Sequence, residues 1–436
     1  MTSTSSQGAE PILLAFSGGL DTSFCVPWLK DTYQRPVITV TVDTGGIDAD
    51  AAQSLSLRSA QLGAVEHHLI DAREAYFEQV LKFLIMGNVR RGGVYPLCVG
   101  AERVLQAQTI AQMALSLKTK MVAHGCTAAG NDQVRFEVAL RTLAPDLAII
   151  APVRDRAFKR PEQLKYLEDH HLPIPPFGGA YSVNRGLWGV TIGGKETLTS
   201  GGSIPDDAWV LSKDAFSRPR AAERHTIGFA RGIPVSLDGA ALSAVAIIEK
   251  LELLAGPFGI GRGIHLGDTV IGTKGRVAFE APAADVMLTA HRELEKLVLT
   301  GKQARVKESV AQPYGDLVHE GQHLDPVCRD IEALLLSSQV RVSGEVKVLF
   351  RPGSVFVEGV TSPYSLMAAS KGVYGESAGE WTPTDALGYS KMLALTGVFY
   401  RRAGANSPMQ TATAARESDG APKATVVHIP AGAHKS

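Results

Sequence analysis

The sequence predicts a doubly wound α/β domain built on a parallel sheet, followed by an α+β domain. Three observations lead there. Short, continuous apolar runs alternate with helical stretches over the first third of the chain, and such runs suit strands covered on both faces. A Gly-rich turn closes the first run and opens a helix. From Tyr181 onward the alternation gives way to β-like runs mixed with helices.

The first expected strand is Pro11 to Phe16, ended by Ser17-Gly18-Gly19. Pro27 sits early in the helix that follows and is expected to bend it, because its missing N–H removes a bond past the first turn. Val37 to Val42 is β-branched throughout and stops at Asp43-Thr44-Gly45-Gly46. Asp71 with Glu74 reads as a capping box, Ala75, Val80, Leu81, Leu84 and Ile85 supply the apolar face, and Gly87 suits the C-terminal cap. Glu102 to Leu117 is a second long helix, and Met121 to Ala123 and Leu147 to Ile150 are two more strands. A linker is expected from Lys159 to Glu168 and on through the prolines of 172–179. Beyond it come helices at Ser243 to Leu254 and Ala284 to Thr300, and strands at Glu345 to Phe350 and Ser354 to Val360. After Arg402 the composition turns to Ala, Ser, Gly and Pro. The expected organisation is therefore a disordered N-terminus at 1–10, domains at 11–172 and 173–402, and a disordered tail at 403–436.

The 436 residues suit two or three domains, and 45% hydrophobic with 20% charged residues is ordinary for a globular enzyme. Forty-four basic side chains are balanced by 44 acidic ones, which argues against a protein that coats nucleic acid. Cys25, Cys98, Cys126 and Cys328 form no C-x-x-C pair, which argues against a zinc ribbon or disulfide scaffold, and buried, inert thiols are expected. Met1 to Glu10 lacks the layout of a signal peptide, and no apolar run reaches the ~18 residues of a membrane span. A cytoplasmic protein without a membrane segment is expected.

Ser17-Gly18-Gly19-Leu20-Asp21-Thr22-Ser23 follows a strand and opens a helix. Its glycines let the backbone approach a ligand, its hydroxyls and free helical N–H groups face outward, and the helix end carries partial positive charge. This is a seat for pyrophosphate, with Asp21 and Ser17 as candidate catalytic residues. Gly189 to Lys195 has the spacing of a second phosphate loop, but Glu196 stands where a Ser or Thr should bind Mg²⁺. The other informative string runs from His124 through Gly125 and Thr127 to Glu137. It sits at the carboxyl end of a strand, where open α/β sheets bind ligands, and offers Arg for a carboxylate and Asp for an ammonium.

Ala-Phe-Ser-Gly-Gly-Leu-Asp-Thr-Ser at 15–23 and Gly-Asn-Asp-Gln-Val-Arg-Phe-Glu at 130–137 resemble the argininosuccinate synthase family. The likeness continues at Leu143-Ala144-Pro145, Pro173-Ile174-Pro175, Tyr181-Ser182, Leu187-Trp188-Gly189 and Pro383-Thr384-Asp385-Ala386, and spans roughly Pro11 to Tyr400. The resemblance implies a PP-loop ATP pyrophosphatase domain and a synthetase and oligomerisation domain. It also implies AMP-forming ligation of aspartate to citrulline through a citrulline-adenylate. By the same resemblance Ala15, Phe16, Ser17, Gly18, Gly19, Leu20, Asp21, Thr22, Ser23, Val42 and Gly125 hold ATP with Mg²⁺. Thr127, Asn131 and Asp132 match the aspartate site, and Tyr95, Asn131, Arg135, Ser182 and Thr191 match citrulline positions. A homo-oligomer is implied, in the family a tetramer. No metal-ligating set is assigned to the protein itself.

Several positions depart from the family pattern. Cys98-Val99-Gly100-Ala101-Glu102-Arg103 replaces its Gly-Thr-Ser/Ala-Leu-Ala-Arg, so a Ser or Thr hydroxyl is missing at Val99 and Gly100. Asn184-Arg185-Gly186 replaces Asp-Glu-Asn, and Ala129 stands for a Lys. The Glu that meets the citrulline ammonium is Gly267, and the Tyr of Gly-Ile-Tyr-Glu is Phe279. Either a neighbour such as Asp268 takes over or the acceptor is another ureido or carbonyl compound. A nucleotide-binding protein without an acceptor site is the reading from a different class.

Overall fold

The computed structural model describes residues 9–175 and 179–404. Residues up to Leu366 form one compact unit, and those from Met367 onward a second. The disordered ends expected at 1–10 and 403–436 fall on residues 1–8 and 405–436, outside the described residues, apart from four positions that are described.

Five parallel strands build the first sheet: β1 (Ile12–Ala15), β2 (Val37–Asp43), β3 (Glu66–Asp71), β4 (Met121–His124) and β5 (Ala148–Ile150). Their order is β3-β2-β1-β4-β5, as the alternation of strands and helices predicts. Ile12, Leu13 and Leu14 are fully buried at its centre, and every residue of β2 is buried. The order reverses between β1 and β4, so the carboxyl ends of these two strands open a crevice.

Four local readings need correction. β3, Glu-His-His-Leu-Ile-Asp, is a half-exposed edge strand, so no apolar run marks it in the sequence. Asp71 therefore ends a strand instead of capping a helix; Ala72 is the N-cap, and the Asp71 carboxylate accepts from the N–H of Arg73. At the far end the left-handed Asn88 (φ 49°) follows the last helical residue, Gly87, and is the cap. The expected linker is in its first part the helix Arg160–Asp169. Pro161 lies in its first turn, where a missing N–H costs nothing, and Glu162 accepts from the N–H of Lys159 (2.6 Å). The helix Leu20–Tyr33 continues past Pro27.

The α+β region consists of hairpins and helices. Its strands are β6 (Ser182–Gly186), β7 (Gly189–Gly193), β8 (Glu223–Ala230), β9 (Ile233–Leu237), β10 (Ala240–Ala241), β11 (Arg262–Asp268), β12 (Lys274–Glu280), β13 (Gly344–Arg351) and β14 (Ser354–Thr361). They form two antiparallel sheets, β11-β12-β7-β6 and β10-β9-β8-β13-β14. Gly189 to Gly193 is thus a strand and no phosphate loop. The helix Pro282–Val298 buries one apolar stripe, and the helices Gly301–His319 and Pro326–Ser338 follow. Two links carry the β6–β7 hairpin over the parallel sheet. Leu187 N–H donates to the Thr44 carbonyl (2.9 Å). Trp188, 1% exposed, donates its Nε1–H to the Pro96 carbonyl (2.9 Å).

Candidate active site

β1 runs out at the phosphate turn. Gly18 has φ +72°, a left-handed conformation that favours glycine, and a Cβ there would press on the end of the Leu55 side chain. Ser17 Oγ meets Thr22 Oγ1 at 3.1 Å. Gly19 caps the following helix without a side chain, so the first N–H groups have no side-chain partner. They open into a cleft of about 630 Å³ lined by Ala15, Phe16, Ser17, Gly19, Asp21, Thr22, Val42 and Gly125. The rest of the 15–23 string shapes the turn from behind. Gly18 is buried, and its carbonyl accepts from Arg58 (2.6 Å) and from the buried Ser23 hydroxyl (3.4 Å). Leu20 packs on the core.

A second cleft of about 510 Å³ is lined by Tyr95, Gly100, Thr127, Asn131, Asp132, Arg135, Ser182, Thr191 and Gly267. The two clefts share Asp21, Arg103, Gly125 and Asp132, so they form two lobes of one site. Phe279 is the exception among the expected acceptor residues. It is 3% exposed, meets Tyr95 edge-on at 5.2 Å, covers Gly263, and lines a separate 200 Å³ cavity. It supports Tyr95 from behind and does not line the acceptor lobe.

Guanidinium groups control the shared wall. Asp132 pairs with Arg103 (3.0 Å) and Arg135 (2.8 Å). Burial pushes its carboxyl up, but the two cations outweigh burial and hold it below its usual range. Arg135 is buried, and its Nε donates to the His319 carbonyl (2.7 Å). Burial, and then Arg135 and Arg91, hold the His319 imidazole far below its ordinary value, so it is neutral. Asn131 Oδ1 accepts from the N–H of Val270 (3.0 Å), which ties the β11–β12 turn to the lobe.

Where the family side chains are missing, neighbours fill the space. A Cβ on Gly100 would lie 3.2 Å from Arg135 Nη2, and a Cβ on Gly267 would lie 2.5 Å from His265 Nε2. Asp268 also lines this lobe, but its side chain is exposed and paired with Lys274 (2.5 Å).

Sequence reasoning missed five residues. Gln163 Nε2 donates to Asp21 (2.9 Å) from the helix taken for a linker. Arg91 and His265 line the acceptor lobe as isolated residues without a motif, and Arg103, which keeps the Arg of the family's Leu-Ala-Arg stretch, was given no role. Glu102 is 2% exposed; its carboxylate accepts from Thr44 Oγ1 (2.8 Å) and Arg103 (3.0 Å). Burial drives its pKa up to about 7 despite the opposing pull of Arg103. A Cβ on Gly186 would overlap the Glu102 carboxylate, so the two departures from the family pattern share one space, and their joint occurrence was the available signal. Of the thiols, Cys25, Cys98 and Cys328 are buried, while Cys126 lines the cleft with its pKa raised by burial to about 12.

Among the described residues no three His, Cys, Asp or Glu side chains gather as a metal cage. A phosphate-bound Mg²⁺ needs only one or two protein carboxylates, and Asp21 at the junction of the lobes meets that requirement.

Residues 11–173 match the family model "Arginosuccinate synthase N-terminal HUP domain", and residues 181–400 match "Arginosuccinate synthase C-terminal domain". The chain is 40% identical to an argininosuccinate synthase of Xanthomonas campestris, over 90% of this chain and 98% of that one. It is 39% identical to one of Pyrobaculum aerophilum, over 89% and 97%, and 37% identical to one of Dictyoglomus turgidum, over 90% and 97%.

Proposed function

From the premise that this chain belongs to the argininosuccinate synthase family, we propose how its two-lobed site carries out the reaction. The activity is ATP-dependent, AMP-forming ligation of aspartate to citrulline, giving argininosuccinate, AMP and pyrophosphate. The observation that carries the assignment of roles is the shared wall of Asp21, Gly125 and Asp132, which brings a phosphate-binding turn and a polar amino-acid lobe to one point.

The ureido oxygen of citrulline attacks the α-phosphorus of ATP at that wall and pyrophosphate leaves toward the Ser17–Thr22 turn. Free helical N–H groups and the positive end of the helix stabilise the charge on the departing phosphates. Val42 lies along the base-binding side of the nucleotide lobe. Aspartate is held by Thr127, Asn131 and Asp132, and its amine then attacks the ureido carbon of the adenylate and expels AMP. Mg²⁺ bound to ATP would neutralise phosphate charge, and Asp21 is the carboxylate positioned to hold it. Tyr95, Arg135, Ser182 and Thr191 orient the acceptor.

The expected boundary between nucleotide and synthetase domains near 172 remains part of this proposal, as does a cytoplasmic location. Among the described residues no helix is long and apolar enough to cross a membrane. A homo-oligomer is proposed as well. The helix Pro383–Gly404 has no buried residue and exposes Leu387, Tyr389, Met392, Leu393, Phe399 and Tyr400, an apolar set that a second copy would cover.

Pyrophosphate release with ATP, aspartate and citrulline, and with each omitted in turn, tests the assignment. Release that needs ATP and citrulline, with argininosuccinate formed only when aspartate is added, is expected. Release independent of citrulline would overturn the acceptor role of the second lobe.

A further inference from the structure

We infer that Arg91 and His265 form an anchor for the carboxylate of the acceptor, at the end of the second lobe where Gly267 carries no side chain. The inference rests on the reading that this lobe takes the ureido acceptor. Both side chains line the lobe. Arg91 Nη1 and His265 Nε2 are buried and have no hydrogen-bond partner among the described residues. Polar atoms in that state are rare, and two together in one cleft point to a ligand that satisfies both.

The two groups are held in place. The Arg91 backbone pairs with Tyr95, its N–H donating to the Tyr95 carbonyl (2.7 Å) and its carbonyl accepting in return (3.0 Å). Asp316 takes the Nε edge of the guanidinium at 3.3 Å, which leaves the Nη edge for a ligand. The His265 ring stacks on the Tyr95 ring at 5.4 Å with the planes 16° apart. The imidazole fills the space into which a side chain at 267 would project.

Charge decides what this corner binds. Asp132 is committed to two arginines, and Asp268 to Lys274. An ammonium beside Arg91 would face a cation whose neighbouring carboxylates are already engaged, Asp316 with Arg91 itself and Asp268 with Lys274, whereas a carboxylate receives N–H donors from Arg91 and from the Nε2–H tautomer of His265. Burial, then the nearby Arg91, keep that imidazole neutral. The acceptor class that fits is an ω-ureido carboxylic acid. Citrulline belongs to it through its carboxylate, and its amine contributes little.

Three ligands separate the two ends of citrulline: citrulline, 5-ureidopentanoate without the amine, and N-carbamoylputrescine without the carboxylate. Calorimetric titration is made into wild type, Arg91→Met, Arg91→Lys and His265→Phe, each with α,β-methylene ATP bound. His265→Phe keeps the stack on Tyr95 and removes the nitrogen. Wild type is expected to bind both acids within about threefold of each other and N-carbamoylputrescine about tenfold or more weaker. Arg91→Met and His265→Phe should each weaken both acids about tenfold and leave N-carbamoylputrescine within about twofold, and Arg91→Lys should recover part of the loss. Equal losses for all three ligands, unchanged affinity for the acids, or no binding of either acid to wild type would overturn the anchor. Pyrophosphate release by wild type with citrulline is scored separately. Its absence would sink the proposed reaction while the titrations still judge the anchor.

Discussion

The nucleotide lobe takes most of one wall from a single stretch, Ala15 to Thr22, whereas the acceptor lobe collects Tyr95, Gly100, Asn131, Ser182, Thr191 and Gly267 from across the chain. The first works chiefly through backbone: a left-handed glycine, a helix start and N–H groups without side-chain caps. The second works through side chains held by other side chains, such as Arg135 by His319 and Asp132, or Tyr95 between His265 and Phe279. A backbone site tolerates few replacements, because every residue serves one turn. A side-chain site admits exchanges when volume and charge are returned nearby. Glu102 beside Gly186 and His265 beside Gly267 show such shared space, each side chain standing where a Cβ on the glycine would project.

Asp21→Asn puts this contrast under the greatest strain. It removes the carboxylate at the junction of the lobes while Gln163 can still bond the amide oxygen. Pyrophosphate release should fall by on the order of 10²–10³-fold, with the circular dichroism spectrum unchanged. Undiminished turnover would place the chemistry elsewhere. Asp132→Ala comes next. Removing a charged partner that is partly open to the cleft costs about 1.5–3 kcal/mol, so the KM for aspartate should rise about tenfold or more and that for ATP far less. Equal rises would make Asp132 a structural brace for Arg103 and Arg135.

Gly267→Glu sharpens the contrast at a single exchange. Restoring the family's residue alone should weaken citrulline binding about tenfold, because its Cβ meets His265 Nε2 at 2.5 Å. Combined with His265→Ala, it should turn the preference toward ligands that carry an amine. A gain from Gly267→Glu alone, measured by steady-state kinetics, would show that His265 yields freely.

The smallest effect concerns Glu102. Its folded-state pKa of about 7 lies above the unfolded value of 4.5. The native state therefore holds the proton more tightly, and this contribution to stability, complete below pH 4.5, is lost as pH rises through 7. Glu102→Gln has no such dependence. Its melting temperature relative to wild type should climb by about 2 °C between pH 4.5 and 8, and a flat difference would mean that Glu102 is ionised throughout.

Legibility followed the same division. β1, β2 and β4 were readable because burial on both faces demands continuous apolar runs. β3 was not, because an edge strand needs no such run, and the helix Arg160–Asp169 was hidden by a proline that its first turn accommodates. The phosphate turn was legible because its chemistry requires neighbours in sequence. The substituted positions Gly100, Gly186 and Gly267 were visible as losses, but what filled them was not.

By itself the sequence determined the parallel sheet, the phosphate turn at its carboxyl edge and the polar string that faces it, since each rests on local periodicity or on residues a few positions apart. Tertiary structure alone decided that Phe279 supports Tyr95 instead of lining the lobe. It also decided that Glu102 occupies the space above Gly186, and that Arg91 and His265 share one corner. Those outcomes depend on which side chains meet across more than eighty residues of chain, and packing at close range, not local preference, selects the partner that fits.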